Sequence, residues 1–186
     1  MIETSRLVLR PLRMSDCDDL LAYHSSDAVV RYIPWEKRDH KSVCQAISEY
    51  QQMPTSLTTQ DDSIILGWAL KPHDQVIGQS NMTLISEALG IADLGWVTNP
   101  SFWRQGYALE ASAALLSFAF RELGLQRVIS NIDQRNSASA RLAEQLGMRL
   151  EGDFKKALFC KGEWCDMWLY AVCHSEFLTR QIDRSK

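Results

Sequence analysis

A short loop in the middle of the chain combines a proline break, a glycine and an abrupt helix. An apolar run ends at Val97 and is broken by Pro100, because proline lacks an amide proton and disfavours helix at the residue before it. After Gly106, apolar residues recur at helical spacing to Leu123, and Gly124 is typical of a left-handed helix end. The first amides of a helix lack partners within it, and the helix dipole favours an anion there. The pattern indicates a phosphate site made of main-chain amides, although similar loops also precede helices that bind nothing.

The sequence around this glycine resembles the acyl-CoA pyrophosphate loop of the GNAT N-acetyltransferases. Residues 103–111 read WRQGYALEA, and the signature of that family is Gln/Arg-x-x-Gly-x-Gly/Ala. Gly106 and Ala108 match its last two fixed places, whereas Trp103 stands in the first. The departure concerns one side-chain contact to phosphate, and the backbone amides of the loop do not depend on it.

Other motifs, in the same order along the chain, resemble the branch of this family that acetylates the N-terminal alanine or serine of ribosomal proteins. Residues 3–11 resemble its opening strand. Residues 136–139 and 146–148 resemble its Asn-x-x-Ser and Leu-Gly-Phe motifs, with methionine in place of phenylalanine. Residues 151–171 resemble its closing hairpin. The resemblance therefore covers nearly the whole chain.

The order of predicted elements gives an α/β (α+β) fold. It is a mixed, mostly antiparallel sheet of about seven strands with helices on both faces, which is also the element order of the GNAT fold. In that fold the cofactor lies between the fourth and fifth strands. We expect one domain over residues 4–173 and a polar tail over 174–186, frayed from 179. The pattern predicts strands at 5–9, 63–71, 75–84, 91–97, 126–133, 149–159 and 164–172, and helices at 15–24, 39–52, 108–123 and 137–146.

Composition narrows the class of protein further. The chain has 186 residues, and its net charge of −3 argues against a nucleic-acid partner while it suits a cationic amine. Neither a leader nor a run of ~18 apolar residues is found, so we expect a cytoplasmic protein without membrane contact. Five cysteines and four histidines follow no metal-ligand spacing, which predicts no metal. We expect reduced thiols, the alternative being an approach of Cys160 and Cys165 across the last hairpin. A homodimer is left open.

The resemblance implies how acetyl-CoA would be held. The main chain of Gly95, Trp96 and Val97 would pair with the pantetheine arm like an extra strand, and Asn136 would line that arm. Asn136 also suits a simpler role as the cap of the helix that follows it. Arg104 either adds charge near the 3′-phosphate or is a solvated loop arginine. The pyrophosphate would be held by the amides of Arg104, Gln105, Gly106, Tyr107 and Ala108.

Acetyl transfer from a thioester to an amine needs a held cofactor, a deprotonated amine and a proton or hydrogen bond for the leaving thiolate. The resemblance implies Ser139 for the last role, because a hydroxyl donates to negative charge that develops on sulfur. Tyr170 is an alternative acid, although a tyrosine in a half-buried strand is usually a packing residue.

The general base is harder to assign. A related enzyme has a glutamate in the first strand of the closing hairpin, but the corresponding place here is Leu158. Asp93, on the strand that leads to the cofactor loop, is our candidate. Glu110 lies in a first helical turn, where the dipole stabilises a carboxylate without any catalytic purpose. Direct attack by a neutral amine, with a water relay, is the remaining option.

Acceptor binding is expected in the early region of the chain. Tyr32 and Trp35 belong to an aromatic cluster between the two helices that roof the acceptor cleft in the family. They either hold an amine by cation–π contact or pack the roof onto the sheet.

The sequence as a whole predicts an acetyl-CoA-dependent N-acetyltransferase that acts by direct transfer in a ternary complex, with a protein N-terminal amino group as the preferred acceptor. Alternatives are a small amine (a polyamine, amino acid or antibiotic) and a non-catalytic acyl-CoA sensor. A nucleotide-phosphate binder is disfavoured because no Gly-Lys-Ser/Thr follows the loop.

Overall fold

The computed structural model describes residues 1–177 and contains a single eight-stranded sheet with helices on both of its faces. The strands lie in the order β1-β2-β3-β4-β5-β6-β8-β7; the β5–β6 pair is parallel and the other neighbouring pairs are antiparallel. The predicted fold class is confirmed, with a two-residue strand added at the start. The strands are β1 (Ile2–Glu3), β2 (Leu7–Arg10), β3 (Ser63–Leu70), β4 (Gln75–Ser86), β5 (Ile91–Thr98), β6 (Arg127–Asp133), β7 (Arg149–Cys160) and β8 (Glu163–Cys173).

Within the described residues the five α-helices α1 to α5 cover the sheet, and residues 174–177 are also helical. Asp39 caps α3 by accepting a hydrogen bond from the Ser42 amide (2.8 Å), as its place before the helical pattern predicts. Asp16 does not cap α1; its carboxylate binds the buried Arg10 guanidinium at 2.8 Å. The short helix α2 lies between the predicted helices at 15–24 and 39–52, where no helix was predicted. The helices are α1 (Cys17–His24), α2 (Asp27–Val30), α3 (His40–Tyr50), α4 (Tyr107–Arg121) and α5 (Ser137–Leu146).

Each face of the sheet has its own apolar core. The face covered by α4 and α5, here called the α4 face, buries a large cluster that includes Leu94, Leu116 and Val128. The face covered by α1 and α3, the α1 face, buries a smaller cluster that includes Leu20 and Ile47. Because side chains alternate along a strand, neighbouring residues of β5 and β6 point to different cores. None of the helices within residues 1–177 is long and apolar enough to cross a bilayer.

A disulfide joins α1 to α3. Cys17 and Cys44 lie with their Cα atoms 5.5 Å apart and are bonded through sulfur, so the expectation of reduced thiols was wrong for this pair. Their 27-residue separation carries no spacing signal, and only the packing of α1 on α3 brings them together. Cys160, Cys165 and Cys173 are free.

The start of the predicted tail packs on the α4 face. The His174 ring stacks on Phe120 with ring centroids 5.4 Å apart, and Phe177 is buried beside the same phenylalanine. The rest of the tail, including the segment predicted to fray from 179, lies outside the described residues.

Candidate active site

The sheet opens between its two parallel strands. The ladder of β5 and β6 runs from Ile91–Arg127 to Asp93–Ile129 and stops there, while β5 continues to Thr98 and β6 to Asp133. We call the space beyond this last pair the β5–β6 gap. The other edge of β5 stays paired with β4 over the whole of residues 95–97. The edge of β5 that borders the gap is therefore not paired with β6 at Gly95, Trp96 and Val97, and the predicted pairing of these residues with a pantetheine arm stays a prediction.

The chain leaves β5 through a 3₁₀ turn (Pro100–Phe102) and enters α4 at a left-handed glycine. Gly106 has φ +80°, a conformation that side chains disfavour, and Arg104 also lies in the left-handed region at φ +59°. The first helical hydrogen bond runs from the Glu110 amide to the Gly106 carbonyl (3.0 Å), so the preceding amides lie ahead of the helical ladder. The predicted anion site is thus a turn of main-chain donors at the N-terminus of a 15-residue helix.

Glu110 is bound by the first residues of the chain. Its carboxylate accepts hydrogen bonds from Thr4 Oγ1 (2.6 Å), Ser5 Oγ (3.0 Å), the Arg6 amide (2.8 Å) and Arg6 Nε (2.6 Å). Burial raises the pKa of Glu110, but the hydrogen bonds from Thr4 and Arg6 outweigh burial and lower the pKa to about 2. A carboxylate so fully bound is a poor proton acceptor, and its role here is structural.

Arg6 completes this contact between the N-terminus and the cofactor loop. Its Nη1 donates to the Gln105 carbonyl (2.9 Å), and its guanidinium lies 4.2 Å above the centre of the Tyr107 ring. A Cβ atom at Gly106 would lie 3.3 Å from Arg6 Nη2. The residues Arg6 and Glu110 are named together below as the Arg6–Glu110 clamp. Sequence reasoning missed Arg6, because no local pattern links residues 104 positions apart.

Ser139 lies beside the gap on the α4 face. Asn136 Oδ1 accepts a hydrogen bond from the Ser139 amide (3.1 Å), so Asn136 caps α5. The indole Nε1 of Trp96 donates to Ser139 Oγ at 3.2 Å. Because an indole only donates, Ser139 Oγ accepts this bond and keeps its own hydrogen for another acceptor. The sequence analysis included Trp96 only for its main chain. The structure shows that its side chain also contacts the candidate residue Ser139.

Tyr170 is a packing residue in this structure. Its ring is 3% exposed, and its hydroxyl donates to Glu144 Oε1 at 3.3 Å. Burial, with the nearby Glu144 carboxylate, raises the pKa of Tyr170. The hydroxyl is therefore already committed within the protein.

Asp93 lies where the gap begins, on the α1 face. It alternates with Ala92 and Leu94, which are buried on the α4 face, and its Oδ2 accepts a hydrogen bond from Asn131 Nδ2 (2.9 Å). Burial raises the pKa of Asp93, and the bond from Asn131 opposes this shift only in part. Asp93 and Ser139 thus flank the gap from opposite faces of the sheet.

The floor of the cleft around Asp93 is polar. Asn81 and Thr83 of β4 lie opposite Gly95 and Asp93 in the ladder and share their face. A Cβ atom on Gly95 would collide with the Asn81 side chain, so the absence of a side chain at Gly95 leaves space for the side-chain amide of Asn81. The floor therefore presents amide, hydroxyl and carboxylate groups, which suit a polar acceptor.

The two aromatic residues predicted to bind the acceptor lie in different surroundings. The Trp35 ring is 4.5 Å from the His24 ring and carries the Arg38 guanidinium 4.7 Å from its centre. His24 is fully buried and bonded to Gln79 (2.9 Å); burial lowers the pKa of His24 to about 4. Trp35 therefore contacts α1 through His24, a contact that fits the packing alternative, while a role in acceptor binding stays a prediction.

Tyr32 lies in a pocket at the far end of β6. The Arg31 and Arg135 guanidiniums lie 5.2 and 5.9 Å from the centre of its ring. Lys161 Nζ donates to the Val30 carbonyl (2.6 Å) and ties the tip of the β7–β8 hairpin to this roof. We call this the hairpin pocket; its charged and aromatic lining consists of Arg31, Tyr32, Asp133, Arg135, Lys161 and Glu163.

Arg135 fixes one wall of the hairpin pocket. Its guanidinium bonds both carboxylate oxygens of Asp133 (2.9 and 2.7 Å), and it reaches Glu163 of β8 at 2.6 Å. Burial raises the pKa of Asp133, but the hydrogen bonds from Arg135 outweigh burial and lower it. The short segment between β6 and α5 is thereby fastened to the closing hairpin.

The parallel pair β5–β6 separates beyond Asp93–Ile129, and the chain enters α4 through a left-handed glycine; both features agree with the element order expected of an N-acetyltransferase fold. Comparison with known families agrees. The acetyltransferase (GNAT) domain family matches residues 6–149, and the chain belongs to this family. Its relatives are N-acetyltransferases, and so is this enzyme.

Known relatives cover almost the whole chain. The uncharacterized N-acetyltransferase YnaD of Bacillus subtilis is 28% identical over 179 residues, which cover 95% of this chain and 98% of YnaD. The ribosomal protein uS5-alanine N-acetyltransferase of Escherichia coli is 25% identical, over 92% of this chain and 89% of that enzyme. The crystal structure of a GNAT-family acetyltransferase from Bacillus anthracis superposes with a TM-score of 0.83 at 27% identity, over 94% of this chain and 99% of that one.

Proposed function

We propose that this N-acetyltransferase takes its acetyl group from acetyl-CoA and transfers it to the N-terminal amino group of a protein. The observation that carries the proposal is the β5–β6 gap, bordered by an unpaired strand edge and followed by the left-handed turn into α4. A pantetheine arm needs main-chain partners and a pyrophosphate needs amide donors, and this stretch of chain supplies both.

The residues that would hold acetyl-CoA fit that role. Residues 95–97 would pair with the pantetheine amides, and the amides of residues 104–108 would bind the pyrophosphate, as in the resemblance described above. The Arg6–Glu110 clamp supports the proposal, because it holds the Gln105 carbonyl and the Tyr107 ring in place before any ligand arrives. Asn136 contributes through its cap, which orients the first turn of α5 and so Ser139.

Asp93 and Ser139 supply the proton chemistry in this proposal. Acetyl-CoA, when bound, presents an acetyl thioester. Asp93 accepts a proton from the acceptor ammonium, directly or through water, and the amine nitrogen then attacks the carbonyl carbon. As the carbon–sulfur bond breaks, Ser139 Oγ donates a proton to the departing sulfur, which leaves as the CoA thiol. The nitrogen of the tetrahedral adduct gives up its second proton, which restores the Ser139 hydroxyl through water, and the amide is formed. A raised pKa suits Asp93 for this task, since a more basic carboxylate accepts the proton more readily.

A protein N-terminus is favoured as the acceptor by two observations. One relative over most of the chain is a ribosomal protein alanine N-acetyltransferase. The cleft floor carries the Asn81 and Asn131 amides and the Thr83 hydroxyl, groups that pair with the backbone of an extended peptide.

An acceptor panel tests the proposal. The purified enzyme is assayed by release of the CoA thiol with three acceptors: a peptide with a free N-terminal alanine, the same peptide with a blocked N-terminus and a free lysine, and spermidine. We expect the free N-terminus to be acetylated at the highest kcat/KM, with the modification located by mass spectrometry. Equal or higher kcat/KM with spermidine would contradict the proposal and indicate a small amine as the acceptor. Equal or higher kcat/KM with the lysine peptide would contradict it and indicate a side-chain amine.

A further inference from the structure

The hairpin pocket contains a cation that nothing in the described protein neutralises. Arg135 is paired with Asp133 and Glu163, and Lys161 lies 4.0 Å from Glu36. Arg31, by contrast, is exposed and stacks only on the Tyr32 ring; within residues 1–177 it has no carboxylate partner. The other two basic side chains of the lining therefore each have an acidic partner, and within residues 1–177 Arg31 is the one left without such a partner.

The distance from Asp93 to this pocket suits a short peptide. Asn131, which binds Asp93, and Asp133, which lines the pocket, are two residues apart on the same face of β6. Two residues of an extended strand span about 6.8 Å. A peptide whose amine lies at Asp93 and which follows β6 would therefore bring the side chain of its second or third residue to the pocket.

We propose that the hairpin pocket is a specificity subsite for the acceptor peptide. It favours an acidic side chain at the second or third residue after the N-terminal amine, and Arg31 binds that side chain. The proposal rests on the N-terminal acetyltransferase function proposed above and names the acceptor more narrowly. The Arg31 guanidinium lies over the Tyr32 ring, and the Arg135 guanidinium also lies near that ring. A polycation would meet repulsion at the same place.

Peptides that differ in one residue test the subsite. Three acceptors carry an N-terminal alanine followed by Glu, Gln or Lys and are otherwise identical. We expect kcat/KM to fall in the order Glu, Gln, Lys, with about fivefold between the ends, as for an exposed ion pair. Arg31→Glu should reverse the order, while Arg31→Lys should retain it.

A control variant separates the subsite from the general field of the protein. Lys41→Glu makes the same change of charge on an exposed position of α3 and should leave the order unchanged, and thermal melts check that each variant is folded. A wild-type enzyme that does not distinguish the peptides, or an Arg31→Glu variant that keeps the wild-type order, would overturn the proposal. If no peptide with a free N-terminus is acetylated while spermidine is, the proposed function itself is wrong. If all three peptides are acetylated equally well, only the subsite proposal is wrong.

Discussion

The proposed acetyl-CoA side of the gap, here called the donor side, and the proposed acceptor side are built in different ways. On the donor side, one continuous segment, residues 95–110, provides the strand edge, the turn and the helix N-terminus. On the acceptor side, α1, the roof at residues 27–38, strands β4 and β6, and the β7–β8 hairpin each contribute one or two side chains. Main-chain recognition suits a ligand shared by a whole family, whereas recognition by scattered side chains lets each enzyme differ.

Two carboxylates, one on each side, differ in the same way in their hydrogen bonding and pKa. Glu110, on the donor side, is fully bound, and its pKa is lowered to about 2. Asp93, on the acceptor side, has one side-chain partner, and burial raises its pKa. The first is suited to hold structure and the second to exchange a proton.

The largest effect is expected from Asp93→Asn. Asparagine keeps the size of the side chain but cannot take a proton, so turnover should fall by roughly 10²- to 10⁴-fold while acetyl-CoA affinity stays unchanged. In the wild type, activity should be lost as pH falls through a pKa above the ordinary aspartate value, because the protonated Asp93 carboxyl cannot accept a proton. The variant should lack this acidic limb of the pH–rate profile. A pH–rate profile at saturating amine measures it, and an unaltered limb in the variant would remove Asp93 as the base.

Ser139→Ala should have the next largest effect. The change removes the hydrogen that Ser139 Oγ can donate but preserves the helix, so turnover should fall by roughly tenfold to a hundredfold. Acetyl-CoA affinity and melting temperature should change little, since the Asn136 cap bonds the Ser139 amide and not its hydroxyl. A parallel loss of stability and activity would instead make the Trp96–Ser139 bond a packing contact.

Gly106→Val tests the donor side. A branched side chain at φ +80° strains the turn and meets Arg6, so acetyl-CoA affinity should fall by roughly tenfold, about 1.4 kcal/mol. Gly124→Val is a matched control, because Gly124 has φ +68° but no atom within 4 Å of an added Cβ. Isothermal titration should show weaker binding in the first variant alone; equal affinity in both would refute the phosphate-loop assignment.

Glu110→Gln should produce the smallest effect, and this effect is on the free energy of unfolding. The folded pKa of Glu110, about 2, is below its ordinary value of 4.5, so its stabilisation is complete above the unfolded pKa and is lost as pH falls through the folded one. At pH 7 the variant should lose on the order of 1 kcal/mol of unfolding free energy, and the difference from wild type should shrink between about pH 4.5 and 2. Denaturant titrations at several pH values measure this, while the pH limb of catalysis should survive. A stability difference that does not depend on pH would contradict it.

The sequence predicted local features better than contacts between distant elements, for a physical reason. The turn at Gly106 and the cap at Asn136 are local, so neighbouring residues determine them. The Arg6–Glu110 clamp and the Cys17–Cys44 disulfide depend on which elements pack together, and no local pattern records this. Trp35 shows the same limit, since its contact with the His24 ring depends on how residues 27–38 pack on α1.

The Arg6–Glu110 clamp also has a practical side. Because two events that share a contact must influence each other equally, holding the loop for acetyl-CoA and holding residues 4–6 against α4 are thermodynamically linked. Ligand should slow amide exchange in the first strand, and a fusion partner that pulls on Met1 should weaken ligand binding. A purification handle at this end that displaced residues 4–6 from α4 would lower acetyl-CoA affinity, and comparing affinities before and after the handle is removed measures this effect.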